Sequence, residues 1–312
     1  MAAYPSTHPR AAPSYGIGTA TITQRPKGPD PVQIARRVVQ VLDDPAWRPP
    51  LLPVVATQLL DLTRRPNVDY NTIAKLLSQD PALAAQLLRR ANSSGYGAGL
   101  QIRTLRDAVA RLGLNGIRNL ALEVTLSMRV FKAPGYQAAA DAMRRHAVAT
   151  GYMAAIVCRY TPFNGPQGFL YGLLADVGLA LGLVALGDCT RHEVRPNLLS
   201  VWPTLWAIHE RVSARVASSW NLDAEIVLVV GHHHTLRIQN VTHPMAAVVL
   251  VAAELASELG ASLSEPLAES FGIVVPTSSE ALDHARATLN LSPRQLDLMR
   301  AEGRAALRDA GH

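Results

Sequence analysis

The chain of 312 residues is long enough to bury a large hydrophobic core, as one domain or as two smaller ones. Hydrophobic residues make up 48% of the sequence and charged residues 17%, a balance typical of globular proteins rather than of disordered chains. The two cysteines, Cys158 and Cys189, form neither a disulfide framework nor the spacing of a zinc knuckle, so a reducing cytoplasm is the expected compartment.

The net charge of +6 permits nucleic-acid binding without indicating it. Basic residues occur as the isolated pairs 64–65, 89–90 and 144–145 rather than in long runs. Such pairs are typical of a solvated helix face, and a phosphate-reading patch is the alternative. A nucleic-acid-binding regulator therefore stays open as a function that rests on charge alone.

Residues 1–29 contain five prolines among Ser, Thr and Gly. We expect a disordered tail there, because such a segment cannot bury enough apolar surface to order itself. The first 20 residues also lack the apolar stretch of a secretory signal.

Local signals predict a helical lobe over residues 30–131. The pairs Asp30-Pro31 and Asp80-Pro81 each place an N-cap acid before a proline at the first helical position. Thr104 is predicted to cap a further helix, which Gly113 interrupts. No convincing stretch with the period of a β-strand occurs in this half, so we predict an α-helical bundle.

A second helical lobe is predicted over residues 132–262, followed by a C-terminal extension over 263–312. In the extension, no pattern decides the structure of 263–276, and Ser292-Pro293 begins a terminal amphipathic helix. The second lobe is predicted to contain a helix from Tyr136 to Tyr160, an apolar helix over 169–187, a helix that begins at Pro203, a short helix capped by Asp223, and a helix that begins at His243-Pro244.

The apolar segment 169–187 carries a single acid, Asp176, near its middle. The segment is long enough to span a membrane, but the acid, its four glycines and the lack of basic flanks favour a buried core helix. A carboxylate in such surroundings needs a cation, a proton or hydrogen bonds, because burying it bare is very costly. We expect Asp176 to pair with His146 or His209, which both fall on inward helix faces.

The first half contains the strings LLPVV at 51–55, SQDPALAAQLLRRANS at 78–93 and LRDAVARLGL at 105–114, the last followed by Arg118-Asn119-Leu120. Together these strings resemble the HDOD family, the HD-related output domain of bacterial signalling proteins. The resemblance extends from about residue 50 to about residue 256. It implies an all-α, two-lobed helical bundle of the HDOD/HD-like type in a bacterial, cytoplasmic signalling protein.

The same resemblance points to a degenerate metal site. An HD-type centre carries one His, then an adjacent His-Asp pair, then further His and a final Asp, but here Ala175 precedes Asp176. Because a methyl group cannot coordinate an ion, we expect no metal, no cofactor and no catalytic residue. The candidates for a vestigial or ligand-binding site are His146, Asp176, His209, His233, His234 and Glu254.

Three interpretations of these residues stay open: a buried hydrogen-bonded cluster, a retained weak metal or anion site, and an active hydrolase. For the run of three histidines at 232–234, the alternative to a site is a cluster favoured by the macrodipole at a helix C-terminus. The sequence has no GxxxxGK[ST], GxGxxG or GxSxG motif, so the usual nucleotide cradles and the nucleophile elbow are absent.

We therefore predict a non-catalytic HDOD signalling module that acts through protein–protein interaction and has no contact with a membrane. A nucleotide second messenger is a candidate ligand for the pocket, and a homodimer is a candidate assembly. The alternative function is a metal-dependent phosphohydrolase or a cyclic-dinucleotide phosphodiesterase.

Overall fold

The computed structural model describes residues 30–50, 54–63, 65, 67–92, 101–163, 165–190, 195–238, 240–276 and 278–309. Within these ranges the regular secondary structure is helical apart from one antiparallel hairpin with two residues in each strand, so the predicted all-α class is confirmed. The predicted tail over residues 1–29 lies outside the described residues.

The first half forms α1 (Pro31–Asp43), α2 (Val54–Thr63), α3 (Tyr70–Leu77), α4 (Pro81–Ala91) and α5 (Leu105–Arg129). Three predicted N-cap side chains form capping hydrogen bonds. Asp30 accepts the N–H of Val32 at 3.0 Å, and Asp80 accepts that of Leu83 at 3.0 Å. Thr104 accepts the N–H of Asp107 at 3.1 Å. These side chains satisfy backbone donors that a helix N-terminus leaves unpaired.

Gly113 interrupts α5 as predicted. Its φ of 68° and ψ of 170° lie outside the helical region, and the helix resumes after it. A side chain would be strained at this φ, which explains why the sequence places glycine at the kink.

The second half forms α6 (Gln137–Arg159), α7 (Gly165–Leu174), α8 (Val177–Cys189), α9 (Leu198–Ser219), α10 (Ala224–Val230), the hairpin β1 (Arg237–Ile238) and β2 (Val241–Thr242), α11 (Pro244–Ala256), a π-helical turn (Ser257–Ala261), α12 (Ser264–Phe271), α13 (Ser279–Thr288) and α14 (Pro293–Asp309). The segment 263–276, which the sequence left undecided, therefore contains α12. The terminal helix begins at Pro293 as predicted.

The prediction of one continuous helix over 169–187 is wrong. The helix ends at Leu174 and a new one begins at Val177, because Asp176 has the non-helical φ of −97° and ψ of 14°. The Ser213 hydroxyl, from α9, stabilises this break. It accepts the N–H of Gly178 at 2.9 Å and donates to the carbonyl of Ala175 at 2.7 Å. Two backbone groups at the break are thereby paired inside the core.

The prediction that Pro203 begins a helix is also wrong. The helix α9 begins at Leu198, and Pro203 lies inside it. Asn197 provides the N-cap, since its side chain accepts the N–H of Leu199 at 3.0 Å. Inside the helix Pro203 removes one backbone hydrogen bond and its ring crowds the carbonyl of Leu199. The tertiary packing of the buried residues Leu198, Val201 and Trp202 offsets this cost.

The buried apolar residues form two clusters. The smaller one is built by α2 to α5 and includes Leu59, Ile73 and Leu87. The larger one is built mainly by α6 to α14. The helix α1 was grouped by sequence with the lobe 30–131, yet its Ile34 and Val38 belong to the larger cluster, because α1 packs against α8 and α9. The predicted boundaries at 131/132 and 262/263 stay predictions.

Two segments have the length and composition of a membrane span, Gly168–Cys189 and Pro244–Ala261. Inside the protein, 94% of the first window and 56% of the second are buried. Burial of 94% is typical of a core helix, whose apolar surface packs against other helices.

Candidate functional site

Five of the six predicted site residues come together from four parts of the chain. His146 lies on α6, Asp176 lies at the break between α7 and α8, and His209 lies on α9. His233 and His234 follow the C-terminus of α10. All five side chains line one cavity, so residues far apart in sequence form a single cluster.

The Asp176 carboxylate lies at the centre of three imidazoles. Its Oδ1 lies 3.3 Å from Nε2 of His233 and 3.6 Å from Nε2 of His209. Its Oδ2 lies 3.7 Å from Nε2 of His146. The residue is only 8% exposed. Both histidines expected as partners are therefore near Asp176, but His233 is nearer than either.

Backbone carbonyls orient these three imidazoles. Nδ1 of His146 donates to the carbonyl of Ala261 at 2.9 Å, and Nδ1 of His233 donates to that of Val230 at 2.9 Å. Nδ1 of His209 likewise donates to the carbonyl of Trp206. With the proton held on Nδ1, each ring turns its Nε2 toward Asp176. Metal-binding histidines are oriented by the same arrangement.

His234 adds a fourth imidazole. Its Nε2 lies 3.1 Å from Nε2 of His209, and its backbone N–H donates to Oε1 of Glu210 at 2.9 Å. The indole of Trp206 packs against both rings, with centroids 4.8 Å from His209 and 4.8 Å from His234. Trp206 and Glu210 therefore fix the position of two adjacent nitrogen donors.

The charges of the cluster favour an Asp176–His233 ion pair. Burial alone would raise the pKa of Asp176, but the His233 hydrogen bond and the charges of His233, His209 and His146 hold it well below its usual range. Burial alone would lower the pKa of His233, but the Asp176 hydrogen bond and charge raise it above its ordinary value.

The imidazoles of His209 and His234 are held neutral. Burial, followed by the charge of His233, lowers the pKa of His209 below its ordinary value. The same two causes lower the pKa of His234 to about 3. At neutral pH the two rings therefore carry no positive charge. The Nε2 lone pair of His209 accepts the Nε2–H of His234, and an ion bound by both nitrogens would displace that proton.

The donor set fits one metal ion. Donor atoms of Asp176, His209, His233 and His234 all lie within 4.8 Å of one another. Two nitrogens that bind the same ion at about 2.1 Å lie roughly 3.0–3.4 Å apart, and Nε2 of His209 and Nε2 of His234 are 3.1 Å apart. Ala175 offers only a buried methyl group, and the described residues contain no second group of three or more donors.

Glu254 lies apart from this cluster. It is half-buried on α11 and lines the same cavity, but it shares no hydrogen bond or ion pair with the cluster among the described residues. His146 contacts Asp176 without joining the group of four donors. The structure therefore divides the six candidates into a four-residue donor cluster, one flanking histidine and one separate acid.

The cavity has a volume of about 580 Å³, enough for a ligand of the size of common cofactors and metabolites. Its lining comes from the cluster, from α9 and α11, and from eight residues of the C-terminal extension: Leu263, Ser264, Val275, Pro276, Ser278, Ser279, Ala281 and Leu282. The C-terminal extension thus supplies part of the wall.

Sequence reasoning missed three residues that position the cluster. Glu210 holds the backbone of His234, Trp206 packs on two imidazoles, and Ser213 holds the break at Asp176. All three lie on α9 within four residues of His209. That spacing places them near one another on the helix and is the only local signal that they act together.

Comparisons with known proteins agree with this fold. The family model described as the HDOD domain matches residues 50–236, more than half of the chain. A protein of Treponema pallidum (strain Nichols), named only as uncharacterized, is 25% identical over 217 residues. The match covers 65% of this chain and 40% of that protein, so the chain spans less than half the length of this curated relative.

Solved structures of a similar fold include the following two. One, from Marinobacter aquaeolei VT8 and provisionally named a signal transduction protein, has a TM-score of 0.63 and 19% identity over 91% of this chain and 66% of its own. The other, from Shewanella amazonensis SB2B and provisionally named a metal-dependent phosphohydrolase, has a TM-score of 0.57 and 21% identity over 88% of this chain and 99% of its own. At these identities the likeness shows the fold alone.

Proposed function

We propose that this chain, which belongs to the HDOD domain family, is a non-catalytic signalling module of the bacterial cytoplasm. Its pocket holds at most one metal ion, receives a small ligand and passes its state to a protein partner. The family and the name of the Marinobacter protein support the signalling role.

The number of protein donors available to one ion is the main observation that supports a non-catalytic site. A catalytic zinc site keeps one position open for water or substrate, whereas a site with four protein donors is closed and structural. Asp176, His209, His233 and His234 supply four donors for one ion. Glu210, a carboxylate beside them, already accepts the N–H of His234 and so is engaged in holding the cluster.

The same residues are stable without an ion. The Asp176–His233 pair lies at hydrogen-bond distance in the core and leaves the carboxylate compensated. An ion at this place would fix the four side chains and displace the proton shared by that pair. The site can therefore adopt a proton-bound and a metal-bound state with the same donors, which suits a sensor better than a hydrolase.

A metal-dependent phosphohydrolase or cyclic-dinucleotide phosphodiesterase is the second candidate. It is supported by the name of the Shewanella protein and by the presence of a metal-compatible cluster. It requires at least one of the four donors to leave the ion so that a water molecule can bind.

Metal analysis combined with a turnover assay tests the proposal. The purified chain, free of any affinity tag, is measured for bound metals and then incubated with bis(p-nitrophenyl) phosphate and Mn²⁺ or Zn²⁺. We expect no more than one bound ion per chain, lost in Asp176→Asn, and no turnover with either metal. The His232→Ala variant is the matched control, because His232 is the exposed member of the histidine run.

Two results would overturn the proposal. One is two bound ions per chain that both disappear in Asp176→Asn. The other is hydrolysis that His232→Ala retains and Asp176→Asn abolishes.

A further inference from the structure

The cavity is lined by acids and, among the described residues, by no lysine or arginine. Its carboxylates are Asp176, Glu210 and Glu254. The first faces His233, and the second accepts the N–H of His234. With the Asp176–His233 pair counted as neutral, Glu210 and Glu254 leave the lining negative. One divalent ion in the cluster would not make it positive, because Asp176 and these two glutamates together carry three negative charges.

Glu254 is the acid without a partner. Its carboxylate has no hydrogen bond and no ion pair with any described residue, although it is half-buried in the cavity wall. On α11, Leu250 and Ala253 line the same cavity at helical spacing, so Glu254 belongs to the face that α11 turns to it. A carboxylate held partly away from water in this way is ready to bind a positive group.

Thr150 provides a second and independent sign of a ligand. The residue is 1% exposed and lines the cavity, and its hydroxyl oxygen has no hydrogen-bond partner among the described residues. Buried hydroxyls are nearly always paired, because leaving one unpaired costs free energy. The hydroxyl oxygen itself has almost no accessible surface, so a ligand in the cavity would supply the missing hydrogen bond after the side chain rotates to a staggered rotamer that faces the cavity.

The rest of the lining suits an apolar body. The side chains of Val249, Leu250, Leu263, Val275 and Leu282 supply hydrocarbon, and the half-buried indole of Trp206 supplies an aromatic ring. Cations bind favourably to indole faces and also pack on apolar surfaces through their carbon atoms.

We propose that the cavity binds a small organic cation, an amine with an apolar body, whose ammonium group pairs with Glu254. This ligand class belongs to the proposed signalling module. The proposed function is needed only for the statement that the ligand is a signal and not a substrate. Phosphate groups fit this cavity poorly, since its described residues offer them carboxylates and no guanidinium or ammonium partner. A nucleotide second messenger, which the family resemblance suggested, is therefore the competing outcome.

A matched set of probes tests the charge preference. Calorimetric titrations of the full chain use 2-phenylethylammonium, 2-phenylethanol and phenylacetate, which share one apolar body and differ in charge. Cyclic diguanylate and inorganic phosphate are titrated beside them, each with chelator and with one equivalent of Zn²⁺. We expect the ammonium probe to bind at least about tenfold more tightly than the alcohol, because its pairing with Glu254 is charge-assisted, and phenylacetate to bind most weakly.

Variants then locate the site. Glu254→Gln keeps the shape and removes the charge, and should weaken the ammonium probe about tenfold while changing the alcohol less than about twofold. Glu269→Gln is the matched control, because Glu269 is exposed on α12 and does not line the cavity. Thr150→Val should weaken both probes, since it removes the unpaired hydroxyl and keeps the side-chain shape. Melting curves establish that each variant is folded.

The proposal is overturned if the ammonium probe binds no better than phenylacetate, if cyclic diguanylate binds more tightly than the ammonium probe, or if Glu254→Gln and Glu269→Gln behave alike. Failure of the signalling proposal has a different signature. Phosphodiester hydrolysis together with Glu254-dependent ammonium binding would reject the non-catalytic role and leave the ligand class standing.

Discussion

Gly178 packs directly against the backbone of His209. The glycine lies in the first turn of α8, and a Cβ at this position would collide with the carbonyl oxygen of His209 and crowd the N–H of Ser213. The two helices α8 and α9 therefore approach as closely as their backbones allow. This contact sets the distance between Asp176, just before α8, and the imidazole of His209.

Gly178→Ala should destabilise the protein by about 1–3 kcal/mol, because both colliding groups belong to the backbone of α9 and a flexible side chain is not available to move aside. Denaturant melts measure the change. Gly187→Ala in the same helix is the control, since the nearest atom to its added Cβ is 3.9 Å away, and it should be neutral or slightly stabilising. Equal melts for the two variants would contradict the close approach.

Ser213→Ala should cost roughly 2–4 kcal/mol, because it leaves the buried N–H of Gly178 and the carbonyl of Ala175 without the hydroxyl that pairs both. Ser219→Ala removes an exposed hydroxyl that bonds only within its own helix, and should change stability by less than about 0.5 kcal/mol. Thermal unfolding in chelator compares them. A Ser213→Ala protein as stable as the control would mean that the break does not depend on this hydroxyl.

Asp176→Ala should lower the stability of the metal-free protein by about 3–5 kcal/mol, because it removes the partner of the buried His233. Asp176→Asn keeps the shape and part of the hydrogen bonding, so its loss should be smaller. Melting in chelator and with Zn²⁺ gives both values. If neither substitution moved the midpoint in chelator, the acid would contribute nothing to the core.

Cys158 should resist alkylation in the folded protein. Burial raises the pKa of its thiol to about 12, so almost no reactive thiolate exists near pH 8, and the side chain is 0% exposed. Cys189 is half-buried and should react first. Mass spectrometry after iodoacetamide treatment, with and without denaturant, distinguishes the two positions. Modification of Cys158 at the rate of Cys189 in the folded protein would show that the core opens readily.

The helix starts could be predicted because their causes are local. The side chains of Asp30, Asp80 and Thr104 bond to N–H groups two or three residues away, so the sequence contains both partners of each cap. The break at Asp176 could not be predicted in this way. It depends on a hydroxyl 35 residues from Gly178, and the apolar residues on both sides of Asp176 look alike.

The contacts within the cluster were harder to predict than the residues that belong to it. The helical periodicity predicted that His146 and His209 point into the core, and both residues are buried. The position of His233 depends on the turn after α10, where its Nδ1 bonds back to Val230. Periodicity does not describe such a turn, so the sequence did not indicate which histidine of the run would face Asp176.

Metal affinity should identify the true donors. The pattern of the HD relatives would make His146 a ligand, whereas the group of four donors found here contains His234 and omits His146. His234→Ala should weaken Zn²⁺ binding by more than about a hundredfold, since it removes a direct donor. His146→Ala should weaken it by about tenfold or less, because this imidazole lies 3.7 Å from Asp176 and acts on the ion only through that carboxylate. Competition with a chelating dye measures both dissociation constants, with His232→Ala as the exposed neighbour that should leave the Zn²⁺ affinity unchanged.

If His146→Ala weakened Zn²⁺ binding more than His234→Ala, the ion would lie on the His146 side of Asp176. The fourth position of the proposed site would then be open to water, which would favour the hydrolase.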